Sequence, residues 1–228
     1  MGTNGSFTIH DSFDDLPEEH AGVHVWFCDL DDRELVRLGR ELGSEEERSR
    51  AEGLGDSVNR HRYLARAGFV RQLLADLLKI SPTLIELHGG PRGSQILELP
   101  YHLYRRELDI PSFSISHSEN VMSFAAAYGR NIGIDVELAG KLLEVAGVAE
   151  MAFTYGGSAK SEIMFKDAAV EAFHYFWTKR EALAKARGDN VVYPRLNDVP
   201  DRAWMLHSFQ HQVGAKRVIG TLAYSVGG

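Results

Sequence analysis

Hydrophobic and polar positions change period several times along this chain. Val23-His24-Val25-Trp26-Phe27-Cys28 alternates and reads as a strand. Helical spacing follows: Asp31 or Asp32 is placed to cap a helix running to about Leu42, with Leu35 and Leu38 turned inward. Ser44 with Glu47 forms a capping box for the next helix. From about Ser57 to Lys79 the apolar positions Tyr63, Leu64, Ala67, Phe69, Val70, Leu73, Leu74, Leu77 and Leu78 recur at helical spacing, and Pro82 is expected to end that long helix. Thr83 to His88 reads as a short strand and Gly89-Gly90-Pro91-Arg92-Gly93 as a turn. Residues 94–110 read as an irregular connector.

The period shortens again at Ser112. Phe113–Ser116, Val121–Tyr128 and Asn131–Leu138 are predicted strands, the last two joined by a turn at Gly129-Arg130-Asn131. Helical character returns at Lys141–Ala152 and gives way to a loop from Phe153 to Ser158. Asp167–Arg187 is a second long helix with Gly188 as its stop, and Met205–Phe209 and Arg217–Tyr224 are closing strands. The two halves look alike in outline, without a sequence repeat. The expectation is an α+β fold in which each half packs a small antiparallel sheet with a long helix. Residues 1–20 form a loose segment, 21–111 the N-terminal half and 112–228 the C-terminal half of one intimate two-lobed domain.

Composition narrows the function. The chain has 228 residues and a net charge of −7, which argues against a general nucleic-acid binder. Arg48, Arg50, Arg60, Arg62, Arg66 and Arg71 are nevertheless crowded into one segment. They suggest a discrete anionic ligand, or a solvated helix face balanced by Glu45, Glu46, Glu47 and Glu52. The single cysteine, Cys28, excludes an internal disulfide, favours a cytoplasmic setting and reads as a buried small hydrophobe. There is no signal-peptide pattern and no apolar run of membrane-spanning length.

Chemistry concentrates in Ile132-Gly133-Ile134-Asp135-Val136-Glu137. Alternation puts Asp135 and Glu137 on one face and Ile134 and Val136 on the other. Two carboxylates so close repel unless a cation lies between them, and a hard ion such as Mg²⁺ would suit; a solvated strand face is the other reading. On the second long helix Phe173, Trp177, Glu181 and Lys185 share a stripe. Facing the strand, that stripe would add a third carboxylate and an ammonium placed for a substrate phosphate. As a bare pair, Glu181 and Lys185 would be an ordinary surface contact. His117, between Ser116 and Ser118, could bind phosphate, shuttle a proton or simply serve as a hydrogen-bonded turn residue. His207 and His211 are read as no site.

Three motifs stand in order: Phe113-Ser114-Ile115-Ser116-His117-Ser118, Gly133-Ile134-Asp135-Val136-Glu137, and the run from Phe176-Trp177-Thr178-Lys179-Arg180-Glu181 to Lys185-Ala186-Arg187-Gly188. With them the chain resembles the 4′-phosphopantetheinyl transferase superfamily over roughly Ser44 to Gly188, and its length resembles the larger surfactin-synthetase-activating type. His61-Arg62-Tyr63-Leu64-Ala65-Arg66, continuing to Val70-Arg71, resembles that family's N-terminal half. The resemblance implies transfer of phosphopantetheine from coenzyme A to a serine of an apo acyl or peptidyl carrier protein, with release of adenosine 3′,5′-bisphosphate. It implies a pseudo-twofold pair of halves, with coenzyme A and Mg²⁺ in the cleft between them; a monomer with no nucleic-acid or membrane partner is the expectation.

Carried over by position, Asp135, Glu137 and Glu181 would hold Mg²⁺ and Lys185 would contact the pyrophosphate. His117 and Ser116 would meet the coenzyme A phosphates, and Arg50 and Arg62 would lie near the 3′-phosphate, with Arg66 on the face of Arg62. Glu181, directly or through a metal-bound water, is the candidate base; a bound hydroxide is the alternative. Gly89-Gly90-Pro91 stands where the family has Gly-Lys-Pro, with Arg92 in reach of the same coenzyme A loop. Phe153-Thr154-Tyr155-Gly156-Gly157 stands where the family has Phe-Ser and nearby acids, a departure that bears on carrier preference. A Mg²⁺-dependent phosphohydrolase of nucleotide-like substrates and an idle coenzyme A or carrier-binding module are the competing readings.

Overall fold

Three sheets and four helices make up the described part of a computed structural model, which covers residues 8–10, 22–89, 95–100, 103, 109–140, 162–188 and 204–226. The class is α+β, as the change of period along the sequence implies. The first part runs β1 (Thr8–His10), β2 (Val23–Asp29), α1 (Arg33–Leu42), α2 (Glu45–Glu52) and α3 (Ser57–Leu78). A 3₁₀ turn at Pro82–Leu84 and the hairpin β3 (Glu86–Gly89) and β4 (Gln95–Glu98) follow.

Side-chain caps start these helices. The Asp32 carboxylate accepts from the Glu34 amide at 2.7 Å and begins α1. At α2 the Ser44 hydroxyl accepts from the Glu47 amide at 3.1 Å, while the Glu47 carboxylate accepts from the Ser44 amide at 2.7 Å. Asp56 caps α3 through the amides of Val58 and Asn59. Lys79, not Pro82, ends α3, by turning left-handed at φ 53°. Pro82 instead opens the 3₁₀ turn, so the strand expected from Thr83 begins only at Glu86. Two further expectations give way. Thr8–His10, within the segment read as loose, pairs in parallel with β2, and Gln95–Glu98, within the connector, pairs with β3.

The second part comprises β5 (Ser112–Ser118), β6 (Val121–Ala127), β7 (Ile132–Leu138), α4 (Glu162–Arg187), β8 (Trp204–Val213) and β9 (Lys216–Ser225). The first sheet has the order β1-β2-β6-β5 and the second β7-β9-β8. β5 and β6 thus lie in the sheet of β2, although the division at 111/112 assigns them to the C-terminal half. The helix Lys141–Ala152 and the loop Phe153–Ser158 lie outside the described residues.

The first sheet is buried on both faces. Trp26, Met122 and Phe124 pack against Phe69, Leu73 and Leu74 of α3. Val25, Phe27, Val121 and Ala125 pack against Ile134, Val136, Val218 and Leu222 of the second sheet. Burial of both faces is why β2 is apolar almost throughout instead of strictly alternating. α4 covers the outer face of the second sheet. It approaches β7 so closely that a Cβ at Gly133 would stand 2.1 Å from the Ala182 carbonyl oxygen and 2.5 Å from the Ala186 nitrogen. That approach lays Glu181 and Lys185 over the polar face of β7.

Candidate functional site

β7 meets the second sheet along one edge only, through β9. The backbone N–H groups of its other edge point at β5. There Ser114, Ser116 and Ser118, spaced by two residues, take the amides of Ile134 at 3.1 Å, Val136 at 3.3 Å and Leu138 at 3.2 Å. Serine hydroxyls substitute for a missing strand, because side chains and edge amides repeat with the same two-residue period.

Two of these serines also donate. Ser116 Oγ gives its proton to Asp135 Oδ1 at 2.8 Å, and Ser118 Oγ gives its own to Glu137 Oε2 at 2.8 Å. Ser116 is buried, and its one proton is spent on Asp135. Its motif position implies contact with the coenzyme A phosphates; in this structure its hydroxyl proton is engaged with Asp135.

Asp135 is 5% exposed. Lys185 Nζ donates to its Oδ1 at 2.8 Å and to the Ile134 carbonyl oxygen at 3.1 Å, so α4 reaches β7 as the shared stripe implied. Oδ2 of Asp135 is buried with no hydrogen-bond partner. Burial raises the Asp135 carboxyl above its ordinary pKa, against the pull of Lys185 and Ser116. Glu181 is also raised, by burial first and then by the negative charge of Asp135, with Lys185 and Arg180 opposing. A buried carboxylate with an orphaned oxygen, whose charge also disfavours that of Glu181, is the donor chemistry of a hard cation.

Among the described residues no three His, Cys, Asp or Glu side chains close into a ready-made metal cage. Lys185 holds Asp135 in this arrangement, and Ser118 holds Glu137. The residues nonetheless fit a Mg²⁺ ion: oxygen donors only, one lone buried oxygen, and repulsion that a divalent charge would relieve.

His117 points from β5 to the opposite side of the strand from the serines. Burial, then the charges of Arg66 and Lys185, press its pKa below the ordinary histidine value, against Asp135. Its charge surroundings therefore include a cation of α3 and a cation of α4. At Arg66 opens a cavity of about 420 Å³ whose charged lining is Glu46, Glu47, Arg50 and Arg66, with Tyr63 and His88 beside them. Arg66 is partly buried there, and that burial presses its guanidinium pKa downward.

The crowded arginines sort themselves by partner. Arg71 is buried, donating to Glu47 at 2.6 Å and to the Ile85 carbonyl oxygen. Arg60 donates to the Leu54 carbonyl oxygen at 3.0 Å, and Arg48 to that of Gly43. Arg62 forms a two-pronged pair with Asp31, at 2.7 Å and 3.0 Å, and is not among the residues that line the cavity. Arg50 and Arg66 are the two that face the open space. Gly90, Pro91 and Arg92 lie outside the described residues.

The remaining sequence readings resolve simply. Cys28 is buried, and burial pushes its thiol far up, so it is no nucleophile. His207 stacks on Tyr224 and bonds its hydroxyl at 3.1 Å, and His211 stacks on Phe27. Sequence reasoning missed Ser118, Gly133 and Asn120. The alternating serines of β5 were the visible signal for the first.

No family model matches the chain. It is 29% identical over 172 residues to the 4′-phosphopantetheinyl transferase HetI of Nostoc sp. strain PCC 7120, across 75% of this chain and 70% of that protein. It is 26% identical over 177 residues to a protein of Synechocystis sp. strain PCC 6803 provisionally named a 4′-phosphopantetheinyl transferase, across 78% of this chain and 69% of the relative. Both similarities support one superfamily, and with it an enzyme.

Proposed function

We propose that this enzyme of the phosphopantetheinyl transferase superfamily moves the 4′-phosphopantetheine group of coenzyme A onto a serine of an apo acyl or peptidyl carrier protein, leaving adenosine 3′,5′-bisphosphate. One observation carries the reading: His117 feels both Arg66, which lines the cavity, and the Lys185–Asp135 pair of α4 and β7, and so links the cavity's arginines to the carboxylates. A nucleotide pyrophosphate needs that sequence of charges. The length and the two long-helix sheets favour the larger, surfactin-synthetase-activating type.

In this reading Arg50 and Arg66 bind the 3′-phosphate end of coenzyme A in the cavity. His117, whose pKa is lowered by burial and then by Arg66 and Lys185, offers its imidazole to the phosphates as they arrive. Lys185 swings its ammonium from Asp135 to a phosphate oxygen, as a point charge on a flexible stem can. Glu181, whose pKa is already raised, takes the proton of the incoming serine. Asp135, Glu137 and Glu181 would hold Mg²⁺, which would neutralise pyrophosphate charge during transfer. Placement and charge neutralisation supply most of the catalysis in such a reaction.

Adenosine 3′,5′-bisphosphate release from coenzyme A tests the reading. Release that requires both Mg²⁺ and an apo-carrier is the expected result. Release without a carrier would favour the phosphohydrolase, and no release with fatty-acid, polyketide and peptide carriers alike would favour an idle binding module.

A further inference from the structure

We infer that Ser116 and Ser118 are positioning residues for the paired carboxylates, and that the seam between the two sheets is thereby the device that aims them. The inference rests on the metal role proposed for Asp135 and Glu137. Each serine does two jobs with one hydroxyl. It accepts the edge amide of one β7 residue and donates to the carboxylate of the residue before it: Val136 and Asp135 for Ser116, Leu138 and Glu137 for Ser118. A hydroxyl has one proton and can accept while donating, so both bonds form at once.

The consequence is a coupling. A carboxylate bonded through one oxygen loses rotamer freedom and presents its other oxygen in a fixed direction. For Asp135 that other oxygen is the buried, unpartnered Oδ2. The direction is set by β5, an element of the other sheet. Any slip of β5 along β7 would therefore turn both carboxylates together. Partners that orient ligands in this way contribute about 10–100-fold to metal affinity.

The third rung supplies an internal control. Ser114 accepts the Ile134 amide at 3.1 Å, but the preceding residue of β7 is Gly133, which offers no side chain to receive its proton. Ser114 thus belongs to the seam alone. Ser114→Ala removes a seam bond, whereas Ser116→Ala and Ser118→Ala each remove a seam bond and a carboxylate bond.

The experiment is Mn²⁺ binding to the full chain, read from the free-ion electron paramagnetic resonance signal without coenzyme A or carrier, alongside thermal midpoints. All three alanine variants should lower the midpoint, Ser116→Ala and Ser118→Ala by more than Ser114→Ala because each also strips a carboxylate of its donor. Mn²⁺ affinity should fall about 10–100-fold in Ser116→Ala and Ser118→Ala and stay within about twofold in Ser114→Ala. Ser116→Thr and Ser118→Thr, which keep the hydroxyl, should recover most of the affinity. If an alanine variant does not fold, Ser116→Cys keeps the volume with a weaker donor and should show the same directed loss. Equal Mn²⁺ affinity across the three alanine variants, beside normal binding by the wild type, would overturn the serine assignment alone. A wild type that binds no Mn²⁺ would overturn the proposed metal site as well.

Discussion

Arg62 and Arg66 sit one helical turn apart and have opposite fates, which shows how much a single partner decides. Arg62 is taken by Asp31, and Arg66 is left facing the cavity. Arg66→Ala should raise KM for coenzyme A about tenfold or more, the scale of a lost bond between charged groups. Arg62→Ala should leave KM within about twofold. Steady-state kinetics on the two variants separates them. The Asp31 carboxyl is held below the usual carboxylate range chiefly by its hydrogen bonds from Arg62. A depressed folded pKa gives stability that is present above the unfolded value, about 3.9, and is lost as pH falls through the folded pKa. Denaturation of wild type and Asp31→Asn should therefore differ near neutrality and converge only as pH falls below about 3.9 and through the depressed folded value. The difference should be under about 1 kcal/mol, because Asp31 is half exposed and screened.

At the scale of elements, Gly133 decides how near α4 lies to β7. A Cβ there would stand 2.1 Å from the Ala182 carbonyl oxygen, which is backbone and has little room to yield. Gly133→Ala should cost about 1–3 kcal/mol of stability, the usual range for overpacking. Pushing α4 outward also draws Lys185 and Glu181 away from Asp135, so kcat should fall more steeply than KM rises. Calorimetry and kinetics on one preparation check both. Most of these elements were legible in the sequence: the caps at Asp32 and Ser44, the period of α3, and the stripe that brings Lys185 onto Asp135. Other features were not, for physical reasons. β1 and β4 are too short to show a period, and the end of α3 is set by a left-handed lysine that no propensity marks. The serine seam stayed hidden because alternating serines look like any exposed strand face until an edge needing donors' partners is seen beside them.

For the whole molecule, the question is what holds α3, the first sheet and the second sheet in one frame around the cavity. Besides the apolar interior, a polar knot at the β5–β6 turn does so. Buried Asn120 donates through Nδ2 to Asp29 at 2.7 Å and to Asp31 at 2.6 Å. Asp29 also accepts from Lys216 of β9 at 3.1 Å, and Asp31 from Arg62 of α3. Asn120→Ala leaves two carboxylates facing each other without their shared donor, and should cost about 1–3 kcal/mol in chemical denaturation. Within the described residues no helix is long and apolar enough to cross a membrane. The cavity's arginines come from α2 and α3 and the carboxylates from β7 and α4, while β5 and β6 pair into the sheet of β2.

The most direct test of the central claim is the mass of an apo-carrier protein after incubation with this enzyme, coenzyme A and Mg²⁺. The account predicts a gain of one phosphopantetheine on the carrier, lost when Mg²⁺ is chelated and lost in Asp135→Ala. An unchanged carrier mass across fatty-acid, polyketide and peptide carriers, or full modification by Asp135→Ala, would contradict it.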